Sequence, residues 1–232
     1  MSAVELDARV LDDPFTVALR GPQAGLARTV GRISTFLSDV SVFYGHPRET
    51  TAQDYTDLAE LGGPGNTVSL RDRRTPLPES GFTSVATFDL VQYRGDAVTP
   101  AADPELVELT VDDVPEMTSL VELTEPGPFL PRTIEMGTYL GYREPSTGRL
   151  LAMAGQRLHL PGWREISAVC THPDARGRGL ARRLVAAVAQ ATVDAGDAPF
   201  LHTTADNPAR GLYEKMGFTL TSEVSLEILR VE

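Results

Sequence analysis

From His172 to Arg183 the chain reads His-Pro-Asp-Ala-Arg-Gly-Arg-Gly-Leu-Ala-Arg-Arg, with Arg176, Arg178, Arg182 and Arg183 clustered around Gly177 and Gly179. Before it, Glu165–Thr171 has the composition of a strand. After it, Leu180, Leu184, Val188 and Ala191, with Val185, recur at helical spacing as far as Gly196, a C′ candidate. A strand, a glycine turn and a helix in that order present first-turn N–H groups that lack intrahelical partners, at the positive end of the helix dipole. Phosphate oxygens are the natural ligands, and arginines add charge-assisted donors. Two familiar phosphate loops do not fit: residue 182 is arginine where a dinucleotide fingerprint needs a third glycine, and no Gly-Lys-Ser/Thr occurs.

A second explicit segment runs Asp206-Asn207-Pro208-Ala209-Arg210-Gly211-Leu212-Tyr213-Glu214-Lys215-Met216-Gly217-Phe218, after a strand expected at 200–204. Its pattern predicts a helix with Asn207 as N-cap, Pro208 at the first position, Gly217 at C′ and Phe218 making the closing contact. Other reactive residue types are sparse. Cys170 reads as a small buried hydrophobe, and His46, His159, His172 and His202 lack ligand-like spacing. Trp163 and Arg157 flank the tight turn at 161–162 and read as packing residues.

These segments need elements to hold them. The strand at 165–171 alternates, which puts Ile166, Ala168 and Cys170 on one face and Glu165, Ser167, Val169 and Thr171 on the other. A hairpin is expected from 138–143 and 150–158 around Pro145–Gly148, and a strand at 106–110 precedes a helix capped by Asp112 or Asp113. In the first hundred residues the pattern predicts a helix at 14–19, a helix at 54–61 with Asp54 as N-cap, and strands at 68–70 and 82–93. Asp96–Pro104 reads as a linker, dividing an N-terminal α/β domain (1–100) from a second domain (101–232).

Composition bounds the function. With 21 Lys and Arg against 32 Asp and Glu, the net charge of −11 opposes nucleic acid and anionic membranes and favours encounter with amine-bearing substrates. One cysteine, no apolar run of about 18 residues and an acidic, unpatterned start predict a soluble, cytoplasmic chain without a metal site.

Arg176-x-x-Gly179-x-Ala181 and the downstream Asn207…Tyr213-x-x-x-Gly217-Phe218, in that order, resemble the two signature segments of the GNAT N-acetyltransferase superfamily. The resemblance covers residues 105–232. Glu165–Ala181 and the Pro-Phe-Leu-Pro run at 128–131 are similar to the branch that includes glycine N-acyltransferase C-terminal domains. The resemblance implies an α/β (α+β) fold: a mixed, mostly antiparallel twisted sheet flanked by helices, whose strands at 165–171 and 199–204 splay apart. Preceding it would be the smaller N-terminal α/β domain, which has no phosphate motif of its own.

The family further implies acetyl-CoA as acyl donor. The backbone of Val169, Cys170 and Thr171 would pair with its pantetheine arm; Arg176, Gly177, Arg178, Gly179, Leu180, Ala181 and Arg182 would take the phosphates, and Asn207 the arm. The acetyl group would pass directly to an amine, with no acyl-enzyme. Glu165 matches the place of a family glutamate and becomes the expected base through a raised pKa, or else a solvated or arginine-paired strand residue. Tyr213 matches the family tyrosine and becomes the expected acid. His202 is the one histidine placed to act as an acid or base on the substrate side. Three readings follow: an N-acetyltransferase of a small or amino-acid-like amine, a protein or peptide N-acetyltransferase, and a non-catalytic CoA-binding module. Each is compatible with a monomer or homodimer. The run at 128–131 is expected to be either a lid over the acyl group or a structured loop.

Overall fold

A computed structural model describes residues 6–232. Its frame is an eight-stranded sheet built from β4 (Thr67–Arg71), β5 (Phe82–Arg94), β6 (Leu106–Leu109), β7 (Tyr139–Arg143), β8 (Leu150–Leu160), β9 (Trp163–Thr171), β10 (Ala198–Thr204) and β11 (Thr219–Val231). Their order across the sheet is β4-β11-β5-β10-β9-β8-β7-β6, and every pairing is antiparallel except β9 with β10. A small sheet, β1 (Ala27–Val30), β2 (Ile33–Phe36) and β3 (Tyr44–Gly45), packs beside it with α1 (Pro14–Arg20) and α2 (Ala52–Gly62). Helices α3 (Val114–Thr124), α4 (Leu180–Asp194) and α5 (Arg210–Lys215) complete the fold. Among the described residues no helix is long and apolar enough to cross a membrane.

The boundary expected near residue 100 is crossed by this sheet. β5, from the first hundred residues, lies between β10 and β11, and its pairing with β11 runs from Phe82 to Arg94. A polar, proline-containing connector looks the same in sequence whether it joins two domains or two strands of one sheet, and here it does the latter.

The feature that makes a site is the divergence of β9 and β10. They pair only at Ala198–Phe200 against Trp163–Glu165. Beyond that, β9 stays with β8 as far as Thr171, while β10 follows β5 as far as Thr204. β9 also carries a bulge: Met153 and Gly155 of β8 face Cys170 and Ser167, so β9 has one extra residue, and Ala168 takes φ +52°. A non-glycine residue there is strained, and a bulge of this kind bends its strand. It also overturns the expected alternation. Ile166 and Val169 pack against α4, whereas Ala168 and Cys170 pack against α3.

Helix ends follow local chemistry with small corrections. Thr51, not Asp54, caps α2, and Asp54 closes the capping box at N3. Asn207 accepts the Ala209 N–H at 2.8 Å, so Pro208 and Ala209 form a turn and α5 starts at Arg210. At the other end, Phe218 N–H reaches Tyr213 O, Gly217 N–H reaches Glu214 O, and the Tyr213 and Phe218 rings meet edge-on at 6.0 Å. This is a complete Schellman closure, and it fixes Tyr213 against the core. Gly217 sits at φ +97°, and a Cβ there would stand 2.9 Å from the Ala97 carbonyl oxygen. Gly217→Ala is expected to destabilise the protein by about 1–3 kcal/mol, whereas Gly211→Ala, with open space around its Cβ, leaves stability unchanged or slightly raised. Thermal unfolding of both variants checks the difference.

Candidate active site

One cavity of about 1430 Å³ fills the gap between β9 and β10 and extends to both of its ends. At one end are Arg176, Gly177, Gly179, Leu180, Ala181 and Arg182 at the start of α4. The middle is walled by residues 166–171 of β9, Leu201–Thr204 of β10, and Asn207 and Tyr213. The far end is bordered by β2, β3 and β4, by Phe88 and Leu90 of β5, and by the loop at 124–128.

The glycine loop has the conformation that its sequence requires. Gly177 and Gly179 take φ +77° and +74°, and Gly179 caps α4 without a side-chain bond, so the first-turn N–H groups are free of a protein cap. The four arginines divide. Arg176 and Arg182 line the cavity. Arg178 turns away: its guanidinium donates to the Tyr142 hydroxyl at 3.0 Å and lies 5.2 Å from that ring's centre. Arg183 is tied to Asp103 and Glu105 across the connector. A charge cluster in sequence thus becomes two ligand-facing and two structural arginines, because successive positions at the loop and helix start point in different directions. The expectation for the Arg178 side chain is corrected accordingly.

Val169, Cys170 and Thr171 line the middle of the cavity, where β9 has no pairing with β10. Cys170 is buried and burial pushes its thiol up to about 11, which fits a packing residue rather than a nucleophile. Tyr213 lines the same stretch, and burial pushes its phenol up to about 12, so it is a protonated O–H at neutral pH. Pro128 lines the cavity, while Phe129 packs edge-on against Tyr139 and Thr133 bonds Val40, anchoring the 128–133 loop to the N-terminal segment.

Glu165 departs from its expected part. It is fully buried and does not border the cavity. Nε and Nη2 of Arg157 donate to its two oxygens at 2.9 and 2.8 Å, and Nδ1 of His202 lies 2.6 Å from Oε1. Burial on its own would raise the carboxyl's pKa, but the Arg157 charge and the His202 contact outweigh it and hold the group well below the ordinary range. The raised pKa expected of a base is therefore reversed. Burial holds His202 below its ordinary value despite Glu165, so its ring is neutral at pH 7. Nε2 of His202 stands 3.1 Å from Nη2 of Arg157, and both residues border the cavity.

Arg157 is the residue that the sequence reading missed. It was a packing residue there, yet its side chain is 8% exposed, stacks 4.6 Å over the Phe43 ring and faces the chamber. The available signal was an arginine at the end of the largely apolar Leu-Leu-Ala-Met-Ala-Gly-Gln-Arg-Leu, one tight turn from a glutamate. A central strand buries such a charge only when it is paired. The cavity's local charge also opposes the global one, since its charged lining is Arg28, Arg157, Arg176, Arg182 and a single carboxylate, Glu125.

The comparisons agree with this architecture. The family model for FR47-like protein matches residues 139–226. A GNAT-family protein from Novosphingobium aromaticivorans DSM 12444 is 34% identical, with 96% of this chain and 98% of that one covered and a TM-score of 0.85. A GCN5-related N-acetyltransferase from Kribbella flavida shares the fold at 18% identity, covering 99% and 96%, with a TM-score of 0.59. So does a GNAT-family acetyltransferase from Colwellia psychrerythraea, at 13% identity over 98% and 91%, with a TM-score of 0.52. No curated protein matches. The chain belongs to the GNAT family of acetyltransferases.

The ion pair beneath the cavity yields a stability prediction. Arg157→Met strands a buried carboxylate and is expected to cost about 3–5 kcal/mol, whereas Arg157→Met with Glu165→Gln removes both charges and restores most of that loss. Urea unfolding of the single and double variants is the check, and a double variant as unstable as the single one contradicts the pairing.

Proposed function

We propose that this chain is an acetyl-CoA-dependent N-acetyltransferase that moves the acetyl group directly to the primary amine of a small-molecule or amino-acid-like acceptor. The observation that carries the reading is the single continuous cavity from the glycine–arginine loop, through the gap between β9 and β10, into a chamber beyond Arg157 and His202. Acetyl-CoA supplies an acetyl group already activated as a thioester. The residues present fit such a donor: N–H groups at the start of α4 with Arg176 and Arg182 suit phosphates, and the unpaired edge of Val169–Thr171 suits an amide-bearing arm laid along it like a strand. Asn207 borders the same stretch. Similarity to the glycine N-acyltransferase branch rests on residues 165–181 and 128–131 alone.

Two protons have to move: one leaves the acceptor nitrogen, and one reaches the departing thiolate. His202 is the base in this proposal. Nδ1 donates to Glu165, which leaves Nε2 as the basic nitrogen; it gives up its contact with Arg157 when it takes a proton. Glu165 then orients the ring and balances the charge that develops on it, and does not itself accept the proton. Tyr213 is the acid, since its O–H is protonated and borders the cavity.

Tyr213→Phe is expected to lower kcat by about 100-fold or more while acetyl-CoA affinity stays within about twofold, measured by steady-state rates and calorimetry. The wild-type rate should fall as pH drops through a value below the ordinary histidine range, because burial lowers the His202 pKa and only the neutral ring accepts a proton. His202→Asn should remove that acid limb. An unchanged limb in His202→Asn, or an unchanged kcat in Tyr213→Phe, contradicts the assigned roles.

A further inference from the structure

We infer that the acceptor carries a free carboxylate, bound by Arg157, next to the amine that is acetylated. This rests on the acetyltransferase reading above and names its substrate class. The guanidinium has five N–H donors in a fixed fork. Nε and Nη2 are committed to Glu165 and His202. Among the described residues nothing accepts from Nη1, which lies on the side of the fork away from Glu165. Nη1 is not among the buried polar atoms left without a partner, so its donors open to solvent in the cavity that Arg157 lines, where a carboxylate can replace water with charge-assisted hydrogen bonds.

Placement narrows the ligand further. Arg157 stands on β8 next to the point where β9 and β10 part, so an anion on Nη1 lies at the junction of the donor cleft and the chamber. His202 borders the same junction. An amine close to its own carboxylate meets both groups at once. Beyond them the lining is mixed, with Phe36, Phe43 and Leu90 beside Thr35, Ser41 and Ser69, which accommodates an uncharged remainder. With Arg176 and Arg182 at the phosphate end, Arg28 and Arg157 remain against the one carboxylate in the lining, Glu125, which favours an anionic ligand over a polyamine.

The test uses the full chain with acetyl-CoA and two matched series: leucine, leucinamide and isopentylamine, and phenylalanine, phenylalaninamide and phenethylamine. Each kcat/KM is corrected for the fraction of free amine at the assay pH. The free acids are expected to exceed their neutral counterparts by 30-fold or more; in Arg157→Met/Glu165→Gln, which removes the cation but also the partner of the His202 ring, the preference is read from dissociation constants measured by calorimetry, and that ratio should collapse towards one. Neutral amines used as well as the acids, or a preference that survives in the double variant, overturns the inference. If none of the six compounds is acetylated while acetyl-CoA still raises the melting temperature, the acceptor class is wrong and the acetyltransferase reading stands. If acetyl-CoA produces no shift, where a ligand at a hundredfold its Kd should give a clear one, the underlying reading itself fails.

Discussion

β9 and β10 lie side by side only where Ala198, Pro199 and Phe200 meet Trp163, Arg164 and Glu165; from there each strand is held by a different neighbour. Parallel strands inside a sheet normally satisfy each other's backbone along their length. Here the ladder stops, and the unpaired edge of β9 becomes a wall of the cavity. The bulge at Ala168 bends β9 in the same stretch, so the strained backbone is found where the gap opens. The glycine loop, α4, Asn207 and Tyr213 are all arranged around that opening.

The second constraint is electrostatic. Glu165, Arg157 and His202 form a buried cluster at the closed end of the gap, below the point where the strands part. Burial of the carboxylate is tolerated because the guanidinium meets both of its oxygens, and burial of the guanidinium because the carboxylate does the same. The linkage has a definite sign. Glu165 and His202 both have folded pKa values below their unfolded ones, so each contributes stability that is fully present above its unfolded pKa and is lost as pH falls through its folded one. For His202 the loss begins below about pH 6.5, and for Glu165 below about pH 4.3. In the proposed mechanism catalysis and folding draw on the same cluster, and the neutral imidazole favoured by burial is the form able to accept a proton.

Much of this was legible in the sequence because it is local. The strand–loop–helix around Gly177 and Gly179, the closure of α5 by Gly217 and Phe218, and the hairpin of β7 and β8 depend on residues a few positions apart. What could not be read depends on contacts distant in sequence. Nothing near residue 100 reveals that β5 inserts between β10 and β11, because strand order is decided by pairing over more than a hundred residues. Period-two alternation failed at Ala168 because one extra residue shifts the phase of everything after it. Glu165 carried two expectations, a base with a raised pKa or a strand residue solvated or paired with an arginine, and only its partners on β8 and β10 reveal the buried arginine pairing.

The central claim is that the gap between β9 and β10 and the loop leading into α4 hold the acyl donor. Residue-resolved amide hydrogen exchange, with and without saturating acetyl-CoA, tests it most directly. The account predicts slowed exchange concentrated at Val169–Thr171 and at residues 177–182, with little change along β4 or α2. No slowing at those amides, or protection confined to another face of the sheet, would contradict it.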